Sequence, residues 1–372
     1  MKKFKVASSE EQRTEIAISS IREQLAEIDA CLILYFASTN YPVEMVSRYM
    51  AEAFPSAQTV GCTSAGEMIN GKMMSNSIVA MAFGKNSIPR LKVEVLENIK
   101  TDKQCVVKAF KNFENYFDAP MSRMSPSQYV GLVLIDGQSR CEEYINDQIG
   151  NLTNVTFVGG SAAANSISDP TYLFVNGKSY TNAAVLVLME TVNGFSFLKT
   201  QSLSLTDKKL TPTKVNEEAR TVFEFDHRPA AEAYAEILGI NADEIPQYST
   251  TNPLALVLDE NNFFVRDPHC VLDNGAIDFF CSVKKGLELT VLQARDILND
   301  TRRDLEVAFS KNQDLNAIIE FNCVSRVNEL KAEGKGDEYA ALFKAIPTIS
   351  FGTFGESYIG HMNQTSTMLL LK

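Results

Sequence analysis

Two phrases of this sequence end a short apolar run in a small-residue turn and then present a carboxylate. Thr59-Val60-Gly61-Cys62-Thr63-Ser64-Ala65-Gly66-Glu67 lies near the front, and Thr348-Ile349-Ser350-Phe351-Gly352-Thr353-Phe354-Gly355-Glu356 lies near the end. In sheets built from strand–helix–strand units, ligands gather beyond the carboxyl ends of the strands, where such turns lie. One phrase in each half of the chain predicts a pocket assembled between halves, with Cys62, Thr63, Gly66, Glu67, Gly355 and Glu356 facing a ligand. A third run, Val155-Thr156-Phe157-Val158, stops at Gly159-Gly160-Ser161 and adds Gly159 and Gly160 to that set. Glycine in any one of these turns also serves simply to make the turn tight.

Three kinds of chemistry are open to these residues. Glu67 and Glu356 would form the carboxylate pair of a glycosidase if the halves packed symmetrically, although sequence spacing does not fix their separation. Cys62, on a strand-to-helix turn, is a nucleophile candidate if helix-end amides stabilise its thiolate, but no base is recognisable for it. The three histidines, His227, His269 and His361, show no paired metal-ligand spacing. His227 reads as part of a helix lead-in and His269 as a turn residue after Asp267-Pro268. His361 stands beside Gly360 with Asn363, Gln364 and Thr365, which would either orient a ligand or complete a buried polar cluster. No phosphate-binding loop, dinucleotide fingerprint, G-x-S-x-G or C-x-x-C-H occurs, so binding is expected over turnover and the chain is read as a non-enzyme.

The elements that must position these residues repeat. Leu32–Phe36, Val130–Ile135 and Ala317–Phe321 read as buried strands, each followed by an amphipathic helix and then by a strand ending in one of the three turns. The fold class is therefore α/β, with mixed sheets built from βαβ units. Tyr172–Tyr180 reads as a hairpin turning at Asn176-Gly177. After Pro229 a helix with the stripe Ala230, Ala233, Tyr234, Ile237 and Leu238 is stopped by Gly239. The expected organisation is a helical lead-in over residues 1–27, then two related α/β domains, 28–215 and 216–372, packed to form a ligand pocket.

Composition narrows the class. The 372 residues exceed one comfortable core. A net charge of −11 argues against nucleic acid and against anionic membrane surfaces. No apolar run approaches a membrane span. The seven cysteines are widely spaced and odd in number, without C-x-x-C, which suits a reducing cytoplasm. A homo-oligomer is compatible with all of this.

Gly61 to Glu67, then Val158-Gly159-Gly160-Ser161-Ala162-Ala163 leading to Phe174-Val175-Asn176-Gly177, resemble the amino-terminal FIST domain (F-box and intracellular signal transduction). Pro229-Ala230 with Tyr234 and Leu238-Gly239, Val265-Arg266-Asp267-Pro268, Lys285-Gly286 and the closing Thr353 to Glu356 with His361, Asn363, Gln364 and Thr365 are similar to its carboxy-terminal companion. The resemblance spans about residues 28–372. It implies a cytoplasmic module that binds a small ligand and signals through a partner protein. One bacterial branch looks like haem-binding nitric-oxide sensors that regulate histidine kinases. For that branch haem b is the implied cofactor, with His361 the first axial ligand to the iron and His269 the second. A haem-free metabolite sensor would instead line its pocket with the glycine turns, Glu67, Glu356, Arg266 and Asn363. This chain departs from the family in carrying Ala163-Ala164-Asn165 where an acidic pair often stands, and Met362 between His361 and Asn363.

Overall fold

The computed structural model describes residues 3–259 and 262–372. It is a mixed α/β structure that divides into two compact units. The first holds the residues up to Thr200 together with Arg302–Gly360 and Ser366–Lys372, and the second holds Gln201–Thr301 and His361–Thr365.

The first unit is one pattern used three times: strand, helix, strand, helix, strand, hairpin, strand. Its first copy runs from Phe4–Ser9 through Thr14–Leu25, Ala30–Ser38, Val43–Ala53 and Gln58–Ser64 to the hairpin Glu67–Ile69 and Lys72–Met74, closing with Ile78–Gly84. The second runs from Arg90–Glu97 through Cys105–Phe117, Tyr129–Ile135, Glu142–Leu152 and Phe157–Ser161 to the hairpin Leu173–Val175 and Lys178–Tyr180, closing with Ala183–Glu190. The third starts with Phe195–Gln201, resumes after the second unit with Ile297–Lys311 and Ala317–Cys323, and ends with Thr365–Leu371. Residues 4–9 are thus an edge strand and not part of a helical lead-in. The expected boundary at 215/216 falls inside the second unit, because that unit is inserted into the third copy.

Each sheet has a parallel central pair, as the βαβ reading requires. Leu34 lies opposite Val60, Leu132 opposite Val158, and Ile319 opposite Ile349. The hairpins do not stay with the copy they follow. Glu67–Ile69 pairs with Thr348–Thr353 of the third copy, Leu173–Val175 with Gln58–Ser64 of the first, and Glu356–Tyr358 with Phe157–Ser161 of the second. The exchange closes a cycle, and every parallel pair is completed by a neighbour's hairpin. Two of these hairpins turn at Asn-Gly, with positive φ at Asn70, Gly71, Asn176 and Gly177, as a two-residue type I′ turn needs.

The inner faces of the three sheets share one apolar core, including Leu34, Val60, Leu132, Val158, Ile319 and Leu369. Helices cover the outer faces with the stripes that periodicity predicts: Cys105–Phe117 buries Val106, Ala109, Phe110, Phe113 and Phe117. On the helix Glu142–Leu152, exposed Gly150 has nothing within 4 Å of where a Cβ would stand. Gly150→Ala is expected to stabilise by about 0.5–1 kcal/mol through lower unfolded-state entropy. A higher urea midpoint at unchanged slope is the readout.

The second unit is built from two antiparallel sheets. One orders Leu203–Leu210, Leu289–Ala294, Leu254–Asp259 and Asn262–Arg266; the other orders Pro212–Asn216, Thr221–Phe225, Ile277–Phe279 and Pro268–Val271. The helix Ala230–Leu238 packs Ala230, Ala233 and Tyr234 into a core with Val222, Phe225, Ile277 and Phe279. It ends at Gly239 with φ 76°, a left-handed cap that suits glycine.

Candidate functional site

The three turns of the first unit do meet. Register places Ser64, Ser161 and Thr353 at equivalent strand ends, opposite Ser38, Ile135 and Cys323. The Ala65 amide donates to the Gly352 carbonyl at 3.0 Å and the Gly352 amide to the Gly66 carbonyl at 2.7 Å. The Ser161 amide donates to the Gly355 carbonyl at 2.9 Å, and the Ala163 amide to the Thr63 carbonyl at 3.0 Å. Ala65, Ala163, Ala164 and Phe354 plug the junction. Thr63, Gly66, Glu67, Gly159, Gly160, Gly355 and Glu356 therefore belong to one cluster, but its members fill one another's space. A Cβ on Gly159 would stand 1.7 Å from the Val133 carbonyl oxygen, and one on Gly160 would stand 2.6 Å from Thr353 Oγ1. Close backbone approach is what these glycines provide.

Glu67 is the chemically distinctive member. It is 1% exposed, and its carboxylate accepts hydrogen bonds from Ser64 Oγ, from Ser77 Oγ at 2.7 Å and from the Ser77 amide at 3.3 Å. Burial pushes its pKa up to about 7, against the pull of both serines and of Lys331. Lys331 Nζ lies over Gly66, so close that a Cβ there would stand 3.0 Å from it. Glu356 is fully buried opposite Gly160.

Cys62 points into the apolar core and is fully buried. Burial drives its thiol well above the ordinary value, which leaves neither thiolate nor surface for the nucleophile or ligand-facing roles expected of it. A further buried carboxylate escaped the sequence reading. Glu320 accepts from Tyr339 Oη and, at 2.6 Å, from Ser366 Oγ, while Arg326 Nε donates to Asn322 Oδ1 at 3.0 Å nearby in the chain. Its signal was a charge inside the apolar strand Ala317-Ile318-Ile319-Glu320-Phe321. Burial and Glu320 together push the Tyr339 hydroxyl far above its usual range.

The remaining expected residues, Arg266, His269, His361 and Asn363, belong to the second unit. Arg266 Nη1 donates to the Val265 carbonyl. His227 is exposed in a positive-φ turn. His361 is 5% exposed, and Met362, Asn363, Gln364 and Thr365 are each no more exposed than that. A ring so enclosed leaves no open face for a macrocycle unless this close-packed segment moves. The His269 side chain is 30% exposed, its Nδ1 lies 3.3 Å from Asp278 Oδ2, and its ring packs on Phe280. Donor atoms of His269, Cys270 and Asp278 all lie within 4.8 Å of one another.

Space for a small molecule lies elsewhere in the first unit. A cleft of about 470 Å³ is lined by Cys31, Gln58, Lys85, Ile88, Lys92 and Tyr116, among others. Ile88, Pro89, Leu91 and Val93 give it an apolar floor. Lys85 and Lys92 stand on it, held by Asp29 at 2.7 Å and Glu94 at 3.3 Å. The Arg90 guanidinium lies over the exposed Tyr116 ring. Cys31 donates its thiol to the Phe83 and Ile88 carbonyls, and burial raises its pKa to about 11. None of the residues expected from sequence lines this cleft.

A family model for the FIST N domain matches residues 31–228, and one for the FIST C domain matches residues 230–358. No curated protein sequence matches the chain. Among solved structures it aligns with phosphoribosylformylglycinamidine synthase II from Thermotoga maritima, at 10% identity over 99% of this chain and 71% of that one, with a TM-score of 0.22. PurL from T. maritima complexed with FGAR aligns at 9% identity over 99% and 72%, also with a TM-score of 0.22. Superpositions this loose carry no argument. Among the described residues no helix is long and apolar enough to cross a membrane.

Proposed function

The chain belongs to the FIST family, through both its N and its C domain, and we propose that it is a haem-free sensor of a small anionic metabolite. FIST domains bind small ligands in signalling proteins, so ligand sensing and signal transduction are the coarse function. The observation that carries the finer reading is the cleft at Lys85 and Lys92. Its volume and mixed lining suit a small ligand with an apolar body and an acidic head, such as an amino acid or a related carboxylate. Lys85 has its carboxylate partner, Asp29, on an exposed rim, where such a pair contributes only about 0–1 kcal/mol, so a ligand carboxylate exchanges with it at small cost. Lys92 is partly exposed, and its partner Glu94, only 13% exposed, also accepts from Asn112 Nδ2 at 2.8 Å. The signal passes to a separate protein in the cell.

Thermal-shift measurements with amino acids and other small carboxylates test this. A ligand present at about 100 times its Kd stabilises the folded state by about 2.7 kcal/mol, a clear rise in midpoint. The double substitution Lys85→Gln and Lys92→Gln is expected to remove the rise while leaving the unliganded midpoint within a degree or two of wild type. If no anionic metabolite shifts the wild type, or the variant shifts equally, the cleft is not the sensor site. A sharp Soret band after haem addition, moving with nitric oxide, would instead favour the haem-based nitric-oxide sensor that the resemblance implied.

A further inference from the structure

The strand Pro268–Val271 carries a bulge where it pairs with Ile277–Phe279. Pro268 lies opposite Phe279 and Cys270 opposite Asp278, so His269 is the extra residue. In a regular strand neighbours point to opposite faces, and a His-Cys pair could not share a ligand. A bulge sets two residues against one and re-aims a side chain. Here it brings His269 and Cys270 together against Asp278, with His269 Nδ1 3.3 Å from Asp278 Oδ2 and 3.8 Å from Cys270 Sγ.

We propose that His269, Cys270 and Asp278 bind a divalent transition-metal ion of the zinc type. Zinc bonds of about 2.0–2.1 Å to nitrogen, 2.0–2.2 Å to oxygen and 2.3 Å to sulfur, set tetrahedrally, separate N from O by about 3.3 Å and N from S by about 3.6 Å. The two separations in the structure match these within a few tenths of an ångström. A mixed nitrogen, sulfur and oxygen set selects a borderline ion over calcium or magnesium, which take oxygen ligands. On binding, the Cys270 thiol gives its proton to solvent, His269 is neutral with the Nδ1 lone pair on the metal, and Asp278 is ionised. Two anionic donors then balance the dication. Phe280 packs on the imidazole ring, and the partial exposure of His269 gives access for a water or small ligand in the fourth position. This site is independent of the Lys85–Lys92 cleft, so the two proposals stand or fall separately.

The full chain, stripped with chelator, is titrated with Co²⁺ and then with Zn²⁺. One equivalent of Co²⁺ is expected to give an intense tetrahedral visible spectrum with thiolate charge transfer, which Zn²⁺ bleaches by displacement. His269→Ala, Cys270→Ser and Asp278→Asn are each expected to weaken binding by at least about 10- to 100-fold, the range seen even for outer-shell partners. His227→Asn, at an exposed positive-φ position that asparagine tolerates, should bind as wild type does. Zn²⁺ should also slow alkylation of Cys270 in the wild-type protein, a readout that does not depend on any variant folding. Absence of one-equivalent binding, or Cys270 alkylation unaffected by Zn²⁺, would overturn the site.

Discussion

Gly159→Ala is expected to prevent the protein from accumulating in folded form. A Cβ at that position would stand 1.7 Å from the Val133 carbonyl oxygen, 2.7 Å from its carbon and 3.0 Å from its nitrogen. All three are backbone atoms of the adjacent parallel strand, so no rotamer change relieves the clash. Moving Phe157–Ser161 away would break its parallel ladder to Tyr129–Ile135 and, on the other edge, the pairing of Gly159 with Ser357. That second edge is the hairpin arriving from the third copy, so the damage spreads between copies. A loss above about 4 kcal/mol falls in the range reserved for such backbone conflicts, and it consumes most of a typical domain's stability of about 5–15 kcal/mol. Soluble yield and the circular-dichroism melt measure it, with Gly150→Ala as the matched substitution in open space. A folded Gly159→Ala protein within about 1 kcal/mol of wild type would show that the strands do not approach so closely.

Why that glycine matters was only partly legible. The apolar runs Leu32–Phe36, Val130–Ile135 and Ala317–Phe321 gave the three βαβ units, because buried parallel strands are continuous apolar stretches. Asn176-Gly177 announced its hairpin, whereas Asn70-Gly71, carrying the same signal at the equivalent place in the first copy, went unread. Local turn chemistry says that a hairpin forms. It does not say which sheet the hairpin joins, so the cyclic exchange lay beyond sequence reasoning. Inserting Gln201–Thr301 between two strands of the third copy displaced the domain boundary for a similar reason: each piece looks complete locally.

The site divides the same way. Gly66, Glu67, Gly160 and Glu356 are readable as one group, since equivalent strand ends carry equivalent turns. That they interlock, and do not face an open pocket, depends on three-dimensional fit. Cys31, Gln58, Lys85, Lys92 and Tyr116 come from separate segments and form no motif, so their cleft had no signature. His269 and Cys270 are adjacent in sequence, which on a regular strand argues against a shared role. Only the bulge reverses that argument.

Glu67 makes stability depend on pH in a direction opposite to most carboxylates. Paired carboxylates usually have lowered folded-state pKa values and stabilise above pH 5. Glu67 is nearly fully buried, and its pKa rises to about 7 from an ordinary 4.5. Below pH 4.5 both states are protonated and the group contributes nothing. Between 4.5 and 7 the folded state holds a proton that the unfolded state has released, so stability falls as pH rises; above 7 the loss levels off. The full shift corresponds to about 3 kcal/mol, of which about 2.5 kcal/mol is lost between pH 5 and pH 8. Glu67→Gln keeps the size and a hydrogen-bonding head for Ser64 and Ser77 but cannot ionise. Chemical denaturation of both proteins at pH 5 and pH 8 isolates the group, because every other titration is common to them. Wild type should lose about 2.5 kcal/mol more than Glu67→Gln over that interval. Equal losses would mean that Glu67 ionises normally, with Lys331 and the two serines fully compensating its burial. The larger loss would mean instead that a proton sits at the junction of the three turns near neutral pH.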